Sequence, residues 1–216
     1  MAGWPERGYS VLLYEGPGQG QALRDGLKFV PDWERPTKAV LDKFLSAYAR
    51  PAKTVLIGMS FGGYFAPRAA AFEERVDGVV AFDTCFDFEE AARPIFKAVV
   101  ASPMSVKDPA IAWAYRNALW TMGCTTPEEV QHKFGDYKLA PVAARIKQDV
   151  LILAGEADHF IPFHQTAQFE KSLVNARSVT TRIFDRPSGG AEHCQCGATN
   201  LVYAALFDWL IDKFGG

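Results

Sequence analysis

The stretch Val55-Leu56-Ile57-Gly58-Met59-Ser60-Phe61-Gly62-Gly63-Tyr64-Phe65-Ala66 decides how the chain is read. Its first three residues form an apolar run of strand size, and the residues from Tyr64 to Phe72 take helical spacing, so a strand turns sharply into a helix. Such a turn strains the backbone. Glycines at the flanking positions let the chain pass closely while the serine between them is lifted clear of the sheet. The Gly-x-Ser-x-Gly pattern at 58–62 therefore marks Ser60 as a candidate nucleophile. The following helix directs its positive N-terminal end at Ser60, and the Phe61 N–H is placed to donate to an oxyanion.

Working outward, further short apolar runs lie at Tyr9 to Tyr14, Val76 to Phe82, Val150 to Ala154 and Val179 to Phe184. Between and after them, residues 32–49, 61–74, 163–174 and 200–214 carry apolar residues at helical spacing, as in Val40, Leu41, Phe44, Leu45 and Tyr48. Strand and helix alternate, which predicts an α/β fold with a mostly parallel sheet of about five strands and right-handed crossovers. One stretch breaks the alternation. Residues 86–147 contain no strand-like run and are too long for a bare loop. Asp108-Pro109 and Thr126-Pro127-Glu128-Glu129 are helix starts, so a helical insertion over one end of a single domain spanning 1–216 is expected. Its aromatics Trp113, Tyr115 and Trp120 are read first as packing, with the lining of a substrate pocket as the alternative.

At 216 residues, with 49% hydrophobic and 22% charged, the chain is long enough to bury a core without disulfides and is not of disordered composition. The net charge of −2, with mixed signs along the chain, leaves no footprint for nucleic acid or anionic lipid. The apolar runs fall far short of the ~20 residues a membrane span needs. The first eight residues do not have the pattern of a secretory signal, so the expectation is a cytoplasmic protein. Cys85, Cys124, Cys194 and Cys196 are too few for a disulfide scaffold, and the Cys-x-Cys at 194–196 has no second ligand pair. Free thiols and no metal or cofactor are expected.

A serine hydroxyl is a weak nucleophile at neutral pH and needs a base, which in turn needs an orienting acid. Asp158 sits in Gly155-Glu156-Ala157-Asp158-His159 after the strand at 150–154, at the carboxyl end where parallel sheets place their ligands. Glu156 and Asp83 also follow strands and compete for the role. Of four histidines, His193 lies between the last strand and the last helix, where the base belongs. His159 and His164 flank the acid loop, and His132 falls in the helical insertion.

The ordered set Ser60, Asp158, His193 resembles the α/β-hydrolase superfamily. The motifs Tyr14-Glu15-Gly16-Pro17-Gly18-Gln19-Gly20, Gly62-Gly63-Tyr64-Phe65-Ala66-Pro67-Arg68 and Gly190-Ala191-Glu192-His193-Cys194-Gln195 are similar to its dipeptidyl aminopeptidase/acylaminoacyl-peptidase-like and pseudooxynicotine-hydrolase-like branch. The resemblance implies a serine hydrolase acting on an ester, an amide or a β-diketone-like C–C bond of a small molecule, with those three residues as its triad. It also implies three strands ahead of Tyr9 to Tyr14. The third of them would lie between Tyr9 to Tyr14 and Thr54 to Gly58, followed by a loop giving the second oxyanion-hole N–H. Only eight residues precede Tyr9, so a core lacking its first three strands is expected, with a gap in the sheet. That predicts lowered stability, self-association as a homo-oligomer, and as an alternative function a catalytically weak binding or assembly module.

Overall fold

Four of the apolar runs pair as strands in a computed structural model that describes residues 3–101 and 109–215. They are β1 (Val55–Met59), β2 (Gly78–Phe82), β3 (Asp149–Gly155) and β4 (Ser178–Phe184), all parallel and in the order β1-β2-β3-β4. The central β2 and β3 are buried along their whole length, as their continuous apolar sequences require when both sheet faces are covered. Alternate residues go to opposite sides. Val79, Ala81, Val150 and Ile152 share a core with Leu41 of α2 (Glu34–Ala47), Phe65 and Ala69 of α3 (Gly62–Ala70), and Phe169 of α7 (His164–Ser172). Val80, Phe82, Leu151 and Leu153 pack instead on Val202, Leu206 and Leu210 of α8 (Thr199–Phe214). Each such fully buried aliphatic side chain stabilises the fold by about 1.5–3 kcal/mol.

Between β2 and β3 lie α4 (Phe88–Ala101), α5 (Pro109–Met122) and α6 (Pro127–Phe134), and a short α1 (Gly20–Arg24) precedes α2. Thr126 caps α6 reciprocally with Glu129, and Pro109 opens α5; Asp108, read as its cap, lies outside the described residues. The root of this helical stretch is pinned by Gln165 of α7, which is fully buried. Its Oε1 accepts the N–H groups of Phe86 (2.9 Å) and Asp87 (3.0 Å), and its Nε2 donates to the Asp87 carbonyl at 3.0 Å. None of the described helices is long and apolar enough to cross a membrane.

The strand expected at Tyr9 to Tyr14 is not present: these residues form no regular element, and among the described residues the sheet has four strands rather than five. The reason is the lack of a ladder partner. A groove of about 510 Å³ is lined by Leu12 and Tyr14 of the segment and by Ile57 and Met59 of β1. Extended backbone without a neighbouring ladder is not a strand. Leu12, Leu13, Ile57 and Met59 are left exposed along it.

At the carboxyl end of β1 the chain enters α3 through Ser60, whose φ of +58° is left-handed. The steric need for glycine here falls on positions 58 and 63. A Cβ at Gly58 would overlap the Gly62 carbonyl, and one at Gly63 would sit 2.6 Å from the Asp83 carbonyl oxygen, whereas Gly62 faces open space. Gly58→Ala and Gly63→Ala should each destabilise the chain by about 1–3 kcal/mol or more in urea unfolding. Gly62→Ala should stay within about 0.5 kcal/mol. Equal losses at all three positions would contradict this account of the turn.

Candidate active site

The parallel order of the strands brings the ends of β1, β2, β3 and β4 side by side, and the site is built from the segments leaving those ends. After β1 comes Ser60, whose N–H donates to the Phe82 carbonyl at 2.9 Å. That bond ties the turn to the end of β2. The next N–H, of Phe61, donates to no other group among the described residues and stands at the start of α3. Three further consequences of the turn meet at Ser60: a half-buried hydroxyl held clear of the sheet, a free donor beside it, and the positive end of a helix.

After β3 the chain crosses the loop that carries His193. Gly155 passes so close to the Ala191 carbonyl that a Cβ there would overlap it, and the Ala157 N–H donates to that same carbonyl at 2.9 Å. Asp158 then folds back on itself, its Oδ1 accepting the N–H groups of Phe160 (2.8 Å) and Ile161 (3.0 Å). Its other oxygen, Oδ2, lies 2.7 Å from His193 Nδ1, and His193 Nε2 lies 2.8 Å from Ser60 Oγ. Serine, imidazole and carboxylate form one continuous hydrogen-bonded line.

Burial acts against both charged forms in this line, and pairing overcomes it. At His193 burial depresses the pKa, but the Asp158 hydrogen bond and charge, with Asp83 nearby, raise it above the ordinary histidine value. At Asp158 burial pushes the carboxyl up, but the His193 contact and the two backbone N–H groups bring it below the ordinary range. The imidazolium–carboxylate pair is thus favoured together although each charge alone is disfavoured.

The other candidates fall elsewhere. Glu156 turns outward, its Oε1 accepting the Arg186 N–H at 2.9 Å. His164 pairs with Glu90 at 2.9 Å on the surface, and the exposed His159 lies 3.8 Å from Glu192. His132 is in α6. Asp83, the remaining competitor, is buried with its Oδ2 3.6 Å from His193 Nδ1, farther than Asp158. Sequence reasoning missed Gln195, whose buried side chain donates to Asp83 Oδ1 at 2.8 Å. Nothing in the local pattern distinguishes it from a loop glutamine.

All four cysteines are free thiols. Donor atoms of Asp83, His193 and Cys194 lie within 4.8 Å of one another. To hold a metal, His193 would have to give up Ser60 or Asp158, and burial and the Asp83 charge push the Cys194 thiol up, which opposes the thiolate a metal needs. The trio fits a metal poorly.

A cavity of about 400 Å³ opens over Ser60 and His193. Phe29, Phe61, Phe88, Phe96, Phe134, Phe160, Ile161 and Trp113 line it, and besides Ser60 and His193 the polar side chains in its wall are Asn117 and Thr121. The Thr121 hydroxyl is turned back to the Asn117 carbonyl at 2.8 Å. Of the insertion aromatics, Trp113 lines the cavity rather than packing, while Tyr115 meets Phe96 edge-on at 6.3 Å and Trp120 lies exposed over Lys28.

Comparison with known proteins agrees with the fold. Among solved structures, a 2,6-dihydroxy-pseudo-oxynicotine hydrolase superposes with a TM-score of 0.70 at 23% identity, covering 92% of this chain and 51% of its own. Among curated proteins, the hydrolase acrC of Aspergillus aculeatus is 30% identical, covering 96% of this chain and 54% of its own length. The 20-hydroxy-prefusarin hydrolase FUS2 of Gibberella moniliformis is 28% identical over 99% of this chain and 57% of its own length. The chain spans about half the length of the curated relatives it matches. The alpha/beta hydrolase family matches residues 4–194, a span that takes in β1 to β4, the turn at Ser60 and the loops of Asp158 and His193, and to that family this chain belongs.

Proposed function

We propose that this chain carries the catalytic core of a serine hydrolase acting on an uncharged, largely apolar small molecule through an ester, amide or β-diketone-like C–C bond. The observation that carries the reading is the line Ser60 Oγ to His193 Nε2 to Asp158 Oδ2, with contacts of 2.8 and 2.7 Å, at the floor of an apolar cavity. Helices α4 to α6 act in this reading as a cap, the insertion at 86–147 of one domain, since Phe88, Phe96, Trp113 and Phe134 all face the cavity. Hydrolase chemistry is carried over from similar proteins named for it on the strength of that geometry.

The steps follow from the positions. Ser60 Oγ adds to the substrate carbonyl as His193 Nε2 takes the hydroxyl proton. Negative charge grows on the carbonyl oxygen, where the Phe61 N–H and the N-terminal end of α3 stabilise it. Asp158 holds the imidazole tautomer and the imidazolium that forms. The intermediate collapses as His193 returns the proton to the leaving atom, whether oxygen, nitrogen or enolate carbon. Water, deprotonated by the same nitrogen, then adds to the acyl carbon, and the C–O bond to Ser60 breaks as His193 gives that proton back to Ser60 Oγ. No charged side chain lines the cavity among the described residues, so a charged substrate would lose its hydration without a partner.

A fluorophosphonate probe should label the wild-type chain at Ser60 and leave Ser60→Ala unlabelled. An unreactive serine in a folded chain would favour the binding-module reading. Asp158→Asn should keep the fold but lower kcat on a p-nitrophenyl ester by up to ~10⁴-fold, because the ring loses its tautomer control. An undiminished kcat would move the acid elsewhere.

Because His193 must be neutral to accept the proton, and its pKa is raised, activity is present above that pKa and lost as pH falls through it. The acid limb of kcat/KM should therefore lie above the ~6.5 of an unperturbed histidine. A limb below it would show that burial outweighs the carboxylates.

A further inference from the structure

Asp83 follows β2 with a φ of +56°, left-handed for a residue with a side chain, and is almost wholly buried. A buried carboxylate needs partners, and the ones it has lie on the histidine loop. Its Oδ2 accepts the Cys194 N–H in a short hydrogen bond, and its Oδ1 accepts from Gln195 Nε2 at 2.8 Å. Cys194 and Gln195 themselves sit at φ of +54° and +45°, two successive unfavourable left-handed residues directly after His193. Such a conformation persists only where surrounding contacts over-determine it. Within the turn the Gln195 N–H donates to the Glu192 carbonyl at 2.9 Å, and the side-chain contacts described for it come from Asp83.

We infer that Asp83 is a positioning residue for His193: it clamps the left-handed turn that carries the ring and faces Nδ1 with a second negative charge. This rests on the reading of His193 as the base. Burial pushes the Asp83 carboxyl up, and the Gln195 amide, the Cys194 N–H and the nearby imidazole act against that and favour its ionised form. At 3.6 Å from Nδ1 it stands behind Asp158, close enough to favour the imidazolium and too far to replace the direct bond. The titratable groups around the imidazole are Asp158 from the loop after β3, Asp83 from the end of β2, and Cys194 and Glu192 on its own loop. His159, with its ring 6.1 Å away, is the remaining one, and it is turned toward Glu192.

The test compares the wild type with Asp83→Asn and Gln195→Met. In Asp83→Asn the amide can still meet the Cys194 N–H, but the charge is gone. The acid limb of kcat/KM should then move down by about 1 pH unit and the plateau should fall about tenfold. Gln195→Met loosens the turn and keeps the charge, so its plateau should fall with the limb unmoved. A purely structural Asp83 would lower the plateau in both variants and shift the limb in neither, and that result overturns the inference. Titration of the His193 ring nitrogens by ¹⁵N NMR reads the same shift without turnover, so failure of the hydrolase reading and failure of this one are separable. Should Asp83→Asn not fold, the wild type decides. With ¹³C-labelled aspartate, two buried carboxyl signals should respond at the His193 midpoint, and a response from one alone overturns the second charge.

Discussion

Steric exclusion at the turn between β1 and α3 is the constraint on which the rest depends. For Ser60 to stand clear of the sheet at φ +58°, the first turn of α3 must pass across the end of β1, and only a hydrogen at Gly58 leaves room for the Gly62 carbonyl. The same crossing presses Gly63 onto the Asp83 backbone, so the helix is seated against the end of β2 as well. One close approach thereby fixes Ser60, the free Phe61 N–H and the direction of the helix together. The local backbone strain is offset by the packing of Phe65, Ala66 and Ala69 into the core.

Around that fixed point the electrostatics are arranged by desolvation against pairing. His193 and Asp158 are withdrawn from water, which on its own would discharge both. Their 2.7 Å contact, with the Phe160 and Ile161 N–H groups behind it, restores the charged forms. The charged forms of such a pair depend on the direct contact and the backbone donors, since an exposed, water-screened salt bridge would contribute little. The apolar cavity wall extends the same low-dielectric surroundings to the substrate side.

Much of this is legible in the amino-acid order because it is local. The Gly58–Gly63 pattern, the continuous apolar runs of β2 and β3, and the capping box at Thr126 each state their geometry within a few residues. The positions of Asp158 and His193 after strands follow from the α/β alternation, and the parallel order turns sequence order into spatial adjacency. The features that escape a sequence reading depend on partners distant in the chain. Tyr9 to Tyr14 has the composition of a strand and no ladder neighbour, so its propensity goes unused. The motif points to glycine at position 62, whereas the contacts place the requirement on Gly63, since the carbonyl it meets belongs to Asp83, in the next strand's loop. Gln195 and Gln165 are ordinary in sequence, and only the fold shows each clasping a distant backbone or carboxylate.

The hydrogen bond between Ser60 and His193 joins residues 133 positions apart. On a ribosome, β1, β2 and the turn between them emerge and can settle against each other while the last third of the chain is still unmade. The Ser60 turn is therefore formed early and stays without its imidazole partner until synthesis has passed Gln195 and the final loop has swung over Gly155. Closing so long a loop is slow compared with local helix formation. A nascent or interrupted chain would accordingly present a shaped serine with no imidazole beside it, and in the function proposed above its reactivity would report that the whole sheet, down to its last connection, had been completed.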